Sequence, residues 1–231
     1  MTSTTTAAVV LAHGAWADES SWAEVVRLLS LKSIKAVTFS LPMSTLPGDV
    51  AALEEALAAV HGPAVLVGHA YAGAVIAATR DPKVKALVYI AGLAPEQGET
   101  VADAFNRFGH DDKAPALAPA DDGRIWLPTE AFKTAFAQHA TAEQQEALAL
   151  AQRPISPACI TVPVEEPLWK HVPTWYLVAQ HDHMIPEQSQ RFMAERMNAH
   201  IRSCPTDHLP SVTAPSLVAD LIADAVRSTA A

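Results

Sequence analysis

The sequence lacks the features that mark membrane proteins and nucleic-acid-binding proteins. No uninterrupted apolar run approaches the roughly 20 residues that span a bilayer. Residues 1–6 are rich in threonine and have neither the basic region nor the apolar stretch of a signal peptide. Lysine and arginine total 16 against 25 acidic residues, which gives a formal net charge of −9, and there is no basic cluster. We therefore expect no nucleic-acid partner and no membrane partner.

Cysteine is also scarce, with Cys159 and Cys204 as its two members. A disulfide framework needs more cysteines than this, so we expect free thiols and a cytoplasmic location. Half of the 231 residues are hydrophobic, which is enough to bury a large core. The length fits a single domain covering residues 1–231.

What the chain does contain is an alternation of short apolar runs with longer segments of helical periodicity. The predicted strands are residues 7–12, 34–39, 64–67, 84–90, 174–179 and, more weakly, 199–203. The predicted helices are residues 21–31, 48–60, 70–78, 187–198 and 215–227. Strands that are apolar on both faces and separated by helices form a parallel sheet covered on both sides. The sequence therefore predicts an α/β fold, with a mostly parallel sheet and helices on both faces.

The alternation stops between residues 95 and 170. This segment is rich in proline and aspartate, shows no clear strand, and has one long predicted helix at residues 129–152. Because the strand–helix pattern resumes after it, we interpret it as a mainly helical cap inserted over the sheet. A cap of this kind encloses a mostly apolar pocket. Its large apolar side chains, for the core of the cap or the wall of the pocket, are Phe105, Phe108, Trp126, Leu127, Phe132, Phe136 and Trp169.

Ligand sites of open parallel sheets lie beyond the carboxyl ends of the strands. The residues at these positions are, in chain order, His13-Gly14-Ala15 after the first strand, residues 68–73 after the third, residues 181–183 after the fifth, and Asp207-His208 after the last. Together these strand ends offer glycine-rich turns, a carboxylate and imidazoles. We therefore place the candidate site at this edge of the sheet.

The turn at residues 68–73 (GHAYAG) has the layout of a nucleophile elbow, in which small residues flank a sharp strand-to-helix turn. The central residue of an elbow is held in a strained backbone conformation that crowds its neighbours. Here that residue is Ala70, whose methyl group cannot act as a nucleophile. The turn alone leaves two interpretations open: an elbow without its nucleophile, and a plain strand-to-helix turn.

Four motifs resemble those of the α/β-hydrolase family, in its small esterase-like branch that includes plant methylesterases and hydroxynitrile lyases. They are residues 13–22 (HGAWADESSW), residues 68–76 (GHAYAGAVI), the aspartate within residues 179–193 (AQHDHMIPEQSQRFM) and the histidine within residues 206–222 (TDHLPSVTAPSLVADLI). They span nearly the whole chain and follow the family's order of nucleophile, acid and histidine. The departures are Ala70, where the family has serine, and Ala72, where glycine is commoner.

The resemblance implies a serine-type hydrolase of a small, largely hydrophobic carbonyl substrate, an ester or a related compound, with no cofactor and no metal. It implies that position 70 holds the nucleophile, that His208 is the general base, and that Asp182 orients His208. It also implies that the backbone N–H groups of Ala15 and Tyr71 bind the oxyanion. Since Ala70 disables this chemistry while the other elements are retained, we interpret it as an engineered Ser→Ala change.

Two other functions remain open at this point. Ala70 also fits a non-catalytic ligand-binding protein on a hydrolase scaffold. The third candidate is a cyanohydrin lyase, which in this branch carries threonine at position 14 and lysine at position 209, whereas this chain has Gly14 and Leu209. Neither the identity of the substrate nor the oligomeric state follows from the sequence.

Several of the polar residues also have simpler interpretations. Asp182 is suited to cap the helix that begins near residue 186. An alternative metal-binding set consists of His181, Asp182, His183 and His208, although the other strand ends supply no further ligands. The run His110-Asp111-Asp112 is expected to be a solvated part of the cap.

Overall fold

Strands and helices alternate through most of the chain in the computed structural model, which describes residues 7–229. The strands are β1 (Ala8–Ala12), β2 (Ala36–Phe39), β3 (Ala64–His69), β4 (Val84–Ile90), β5 (Thr174–Ala179) and β6 (His200–Cys204). The α-helices are α1 (Ala23–Leu31), α2 (Leu46–Ala58), α3 (Ala72–Ala78), α4 (Val101–Asn106), α5 (Ala142–Ala151), α6 (Glu187–Arg196), α7 (Pro210–Thr213) and α8 (Pro215–Ser228). The prediction for residues 1–6 lies outside the described residues.

The six strands form one sheet in the order β2-β1-β3-β4-β5-β6, and every neighbouring pair is parallel. The predicted α/β fold with a parallel sheet is therefore confirmed. The register places Ala12 beside Gly68 and Ala179 beside Cys204. Because all carboxyl ends lie at one edge, the loop after β1 meets the turn after β3, and the loops after β5 and β6 meet each other.

The side chains of each strand alternate between two buried cores, one on each face of the sheet. Along β1, Val10 belongs to the core formed with α2, α3 and α6, whereas Val9 and Leu11 belong to the core formed with α1 and α8. This alternation explains the continuously apolar strands, since both faces of each strand are shielded from water. The segment between β4 and β5 consists mostly of turns and loops around short helices, and it joins the first of these cores through residues such as Phe132 and Phe136.

The strand–helix boundaries follow the predictions closely, and two predicted strands agree residue for residue with β4 and β5. The helix predicted at residues 70–78 begins two residues later, because the turn around Ala70 precedes it. The helix predicted at residues 48–60 begins earlier, at Leu46, where the Thr45 side chain accepts a hydrogen bond from the Gly48 N–H.

The long helix predicted at residues 129–152 is wrong. A π-helix at Phe132–Phe136 ends at Ala137, and α5 starts only at Ala142. The new start is a capping box, in which the side chains of Thr141 and Gln144 each bond the other's backbone N–H. Apolar residues recur at helical spacing on both sides of this break, so the periodicity alone did not reveal the new helix start at Thr141.

Candidate active site

The turn after β3 has the strained geometry of an elbow. Ala70 has φ +46°, in the left-handed region that an alanine rarely adopts. The Ala70 carbonyl accepts a hydrogen bond from the Leu93 N–H at 2.9 Å, and the Ala70 N–H donates to the Ile90 carbonyl at 3.2 Å. Gly73 is required beside it, because a Cβ there would lie 2.5 Å from the Leu93 carbonyl oxygen. The packed glycine and the strained alanine favour an elbow over a plain turn.

Two side chains from the loops after β5 and β6 form a buried pair beside this turn. His208 Nδ1 lies 2.8 Å from Asp182 Oδ2, and both residues are nearly inaccessible to solvent. Since the carboxylate oxygen accepts, Nδ1 carries a proton, and in the neutral imidazole Nε2 then has the free lone pair. His208 also lines the cavity that Ala70 lines. A base held in this tautomer can accept a proton from a group in that cavity.

The Asp182 carboxylate accepts four hydrogen bonds. Oδ1 accepts the backbone N–H groups of Met184 at 2.7 Å and Ile185 at 2.9 Å. Oδ2 accepts His208 and the side-chain amide of Gln190 at 2.9 Å. Asp182 does not cap α6, whose N-terminus has no side-chain cap, so that alternative is wrong. The four donors fix the carboxylate as an acceptor toward His208.

Gln190 is a supporting residue that the sequence analysis missed. It is fully buried, and its side chain bonds both the N–H of Ala179 at the end of β5 and the Asp182 carboxylate. The available signal was its helical spacing from Met193 and Ala194, since all three lie on the buried face of α6. Gln190 thereby connects the loop that carries Asp182 to the sheet.

Two backbone N–H groups point to an oxyanion site. Neither Ala15 N nor Tyr71 N has an acceptor among the described residues, and both residues line the cavity next to Ala70. Tyr71 directly precedes α3, where the helix dipole favours negative charge. Ala15 is followed by Trp16, whose N–H donates to Arg153 and whose indole donates to Ile125. These two amides are suited to a carbonyl oxygen that acquires negative charge.

Two more buried histidines surround the site. His69 Nε2 donates to the carbonyl of His208 at 2.8 Å, and its Nδ1 has no partner among residues 7–229. Burial lowers the pKa of His69 well below its usual value, and the neighbouring His208 acts in the same direction. His13 accepts the Leu41 N–H at 3.1 Å, and burial lowers the pKa of His13 as well. Both imidazoles are therefore neutral supports.

The cavity over the elbow has a volume of about 460 Å³, and no charged side chain lines it within the described part of the chain. Its polar lining groups are Tyr71, Asn106, His110 and His208, and the rest of the wall is apolar. Of the aromatic residues named from the sequence, only Phe105 reaches it. His110 was expected to be solvated; it is exposed but also lines the cavity and packs on Phe105, with ring centroids 4.9 Å apart.

The other candidate clusters do not converge. His183 pairs with Asp111 at 3.1 Å, and the described residues contain no group of three histidine, cysteine, aspartate or glutamate side chains suited to a metal ion. Cys159 and Cys204 are free and buried. No helix of residues 7–229 is long and apolar enough to cross a membrane.

The chain resembles known proteins over most of its length. A family profile described as the alpha/beta hydrolase family matches residues 9–221. Methylesterase 8 of Arabidopsis thaliana is 27% identical over 175 residues, which cover 68% of this chain and 61% of that protein. The chain thus spans less than two thirds of the length of this curated relative.

The fold recurs in solved structures of low sequence identity. A pyrethroid hydrolase from Sphingobium faniae JZ-2 is 22% identical with a TM-score of 0.83, and the match covers 98% of this chain and 99% of that one. Tomato methylketone synthase I, solved with 2-tridecanone, is 16% identical with a TM-score of 0.79, covering 97% and 99%. At such identities the likeness concerns the fold. Because the family profile covers far more than half of the sequence, the chain belongs to the α/β-hydrolase family.

Proposed function

We propose that this site binds a small, uncharged, largely hydrophobic carbonyl compound and that it is the site of a serine-type esterase whose nucleophile position is occupied by Ala70. One observation carries the proposal: His208, which is bonded to Asp182 behind it, the strained elbow and the free N–H groups of Ala15 and Tyr71 all meet at one apolar cavity. The segment of residues 95–170 acts as the cap of a single domain, since it supplies much of the cavity wall.

With a serine hydroxyl at position 70, each group has a chemical role. The hydroxyl oxygen attacks the ester carbonyl while His208 Nε2 takes its proton, and Asp182 stabilises the imidazolium. The N–H groups of Ala15 and Tyr71 bind the oxyanion. His208 then returns the proton to the leaving alcohol as the acyl–enzyme forms. Water, activated by His208, later releases the acid.

Ala70 stops this sequence at its first step but leaves binding intact. The oxyanion donors are backbone groups, so they do not depend on the side chain at position 70. This combination fits an engineered Ser→Ala change, and it fits equally a natural protein that binds its ligand without turnover, which is the second candidate function. The names of the relatives agree with a neutral carbonyl ligand: a methylesterase, a pyrethroid hydrolase and a protein solved with the ketone 2-tridecanone.

The cyanohydrin lyase is disfavoured by the packing around position 14. A Cβ on Gly14 would lie 2.7 Å from His69 Nδ1 and 3.0 Å from the Ala70 Cβ. The threonine found there in lyases of this branch therefore does not fit without a shift of the elbow. Leu209 is fully buried and supplies no ammonium group for a departing cyanide.

The decisive experiment compares the chain with its Ala70→Ser variant on a panel of p-nitrophenyl esters and lactones. We expect Ala70→Ser to hydrolyse short, uncharged esters with a burst of nitrophenol equal to the enzyme present, because the acyl–enzyme forms before water releases it. His208→Gln in the Ala70→Ser background is the matched control and should remove both burst and turnover. A folded Ala70→Ser protein that hydrolyses no member of the panel would refute the esterase.

A further inference from the structure

One buried carboxylate lies close to the site without taking part in the proposed chemistry. Asp49, on α2, is fully inaccessible to solvent. Oδ1 accepts the N–H of Met43 at 2.7 Å, and Oδ2 accepts the hydroxyl of Tyr71 at 2.7 Å and the more distant thiol of Cys159 at 3.6 Å. All three neighbours are donors, and a carboxylate is purely an acceptor when ionised. Such a matched set indicates a specific role.

The Asp49 carboxylate connects the two arms of the oxyanion site. On one side it holds the ring of Tyr71, whose backbone N–H is one oxyanion donor. On the other side it holds Met43, two residues after Leu41, and the Leu41 N–H donates to His13 at 3.1 Å. His13 lies two residues before Ala15, the second donor. Three hydrogen bonds thus bridge the two amides beneath the cavity.

The bridge also reaches the 95–170 segment. The carbonyl of Met43 accepts the Ser156 N–H at 2.9 Å, and Cys159 follows three residues later with its thiol toward Asp49. Met43 has φ +56°, so a strained residue is kept in place by hydrogen bonds at both its N–H and its carbonyl. The elbow, the loop after β1 and the segment over the cavity therefore share one anchor.

We propose that Asp49 is a positioning residue that fixes the separation of the Ala15 and Tyr71 N–H groups, and so sets the strength of oxyanion binding. The inference rests on the proposed function for the role of those two amides. An asparagine at position 49 keeps the shape but turns one acceptor atom into a donor. Toward the Met43 N–H, which can only donate, that amide group would remove the bond, and toward the Tyr71 hydroxyl it would force the hydroxyl to turn and accept. In either case the bridge loses the hydrogen bonds of an ionised acceptor, which are stronger than those of a neutral amide.

The kinetic test uses the Ala70→Ser background with Asp49→Asn, Tyr71→Phe and the double change. We expect Asp49→Asn to lower kcat for a p-nitrophenyl ester roughly 10-fold with KM changed less than about 2-fold, since removing an oxyanion donor outright costs about 10²–10³ in kcat. Tyr71→Phe should do the same, and the double variant should be no worse than either single one. If each change merely reduced the amount of folded protein, the rate of the double variant would instead fall by the combined effect of the two single changes.

Glu54→Gln is the matched control, because Glu54 is another α2 carboxylate that bonds a hydroxyl, that of Thr79, away from the cavity. The second readout needs no turnover: the amide resonance of Ala15 in the Ala70 chain, measured by ¹H–¹⁵N NMR. Asp49→Asn should move it through the bridge, and Glu54→Gln should leave it in place. An inactive Ala70→Ser protein with a shifted Ala15 amide refutes the esterase and supports the bridge. Equal kcat and Ala15 resonance in the Asp49→Asn and Glu54→Gln proteins overturns the inference.

Discussion

The two neutral histidines beneath the site make the fold sensitive to mild acid. His13 and His69 are buried, and burial lowers the pKa of both in the folded state. In the unfolded chain each regains the usual value near 6.5. Below that pH the unfolded chain binds protons that the folded chain does not, so the free energy of unfolding falls as the pH falls.

The magnitude follows from the linkage between proton binding and stability. Between pH 7.5 and 5.5, a histidine that stays neutral in the folded state removes about 1.4 kcal/mol from the free energy of unfolding. For His69, whose pKa lies well below its usual value, this loss is a sizeable share of the roughly 5–15 kcal/mol that stabilises a typical domain, and the lowered pKa of His13 adds to the loss in the same direction. Asp49 acts in the opposite direction, since burial raises its pKa and the folded carboxyl binds a proton more readily than the unfolded one.

The assay is urea unfolding followed by fluorescence at pH 7.5, 6.5 and 5.5, on the chain and on His69→Gln. Glutamine can still donate to the His208 carbonyl but does not titrate, so the loss between pH 7.5 and 5.5 should shrink by about 1.4 kcal/mol. His61→Gln, at an exposed histidine, is the control and should leave the loss as it is. The same decline in the chain and in His69→Gln would refute the assignment of a neutral, buried His69.

Two further predictions concern packing and thiol reactivity. Gly73→Ala should lower the free energy of unfolding by about 1–3 kcal/mol in the same urea assay, because the new Cβ would lie 2.5 Å from the Leu93 carbonyl oxygen. Gly48→Ala is the control: its Cβ meets only the end of the Thr45 side chain, so the free energy of unfolding should change by less than about 1 kcal/mol. Equal effects of the two changes would contradict the elbow packing. Burial raises the pKa of Cys159 to about 12, so this thiol in the native protein at pH 8 should react with an aromatic disulfide at least about 100-fold more slowly than in the denatured protein. Burial also raises the pKa of Cys204, which should slow its reaction in the same direction. Labelling of Cys159 as fast in the native protein as in the denatured one would contradict its burial.

The sheet was predictable because the sequence of each strand indicates which of its faces are buried. A strand such as β3, apolar on both faces, can be placed only between two layers of helices, and this constraint alone suggests the parallel sheet. The candidate residues were then found by position, since the ends of parallel strands meet. The structure brings Ala15, Ala70, Tyr71 and His208 around one cavity, with Asp182 behind His208; their chemical roles stay predictions.

The supporting residues could not be found in this way. Asp49 is 22 residues from Tyr71 and 110 from Cys159, and these contacts depend on how α2 packs, which local periodicity does not report. The long helix predicted at residues 129–152 failed for a related reason. Apolar spacing reports which side chains are buried and not whether the helix between them is continuous. Phe136 is buried in the core of the fold, although the π-helix that carries it ends there. The lining of the cavity likewise depends on loop paths.

The hydrogen bonds of Trp16 distinguish two parts of the 95–170 segment, which differ in how far their sequences can change without disturbing the site. Trp16 donates hydrogen bonds to the carbonyls of Ile125 and Arg153, so the stretch from 125 to 156 supports the loop after β1 that contains Ala15. Residues 110–117 supply five of the residues that line the cavity, and within the described part of the chain none of their backbone groups bonds the backbone of that loop. Selection for a new ligand can therefore change the sequence of the loop before Ile125 while the geometry around Ala15, Ala70 and His208 persists. A chimera that exchanges only this loop should keep the site, whereas exchange of the whole segment must carry its own partner for Trp16.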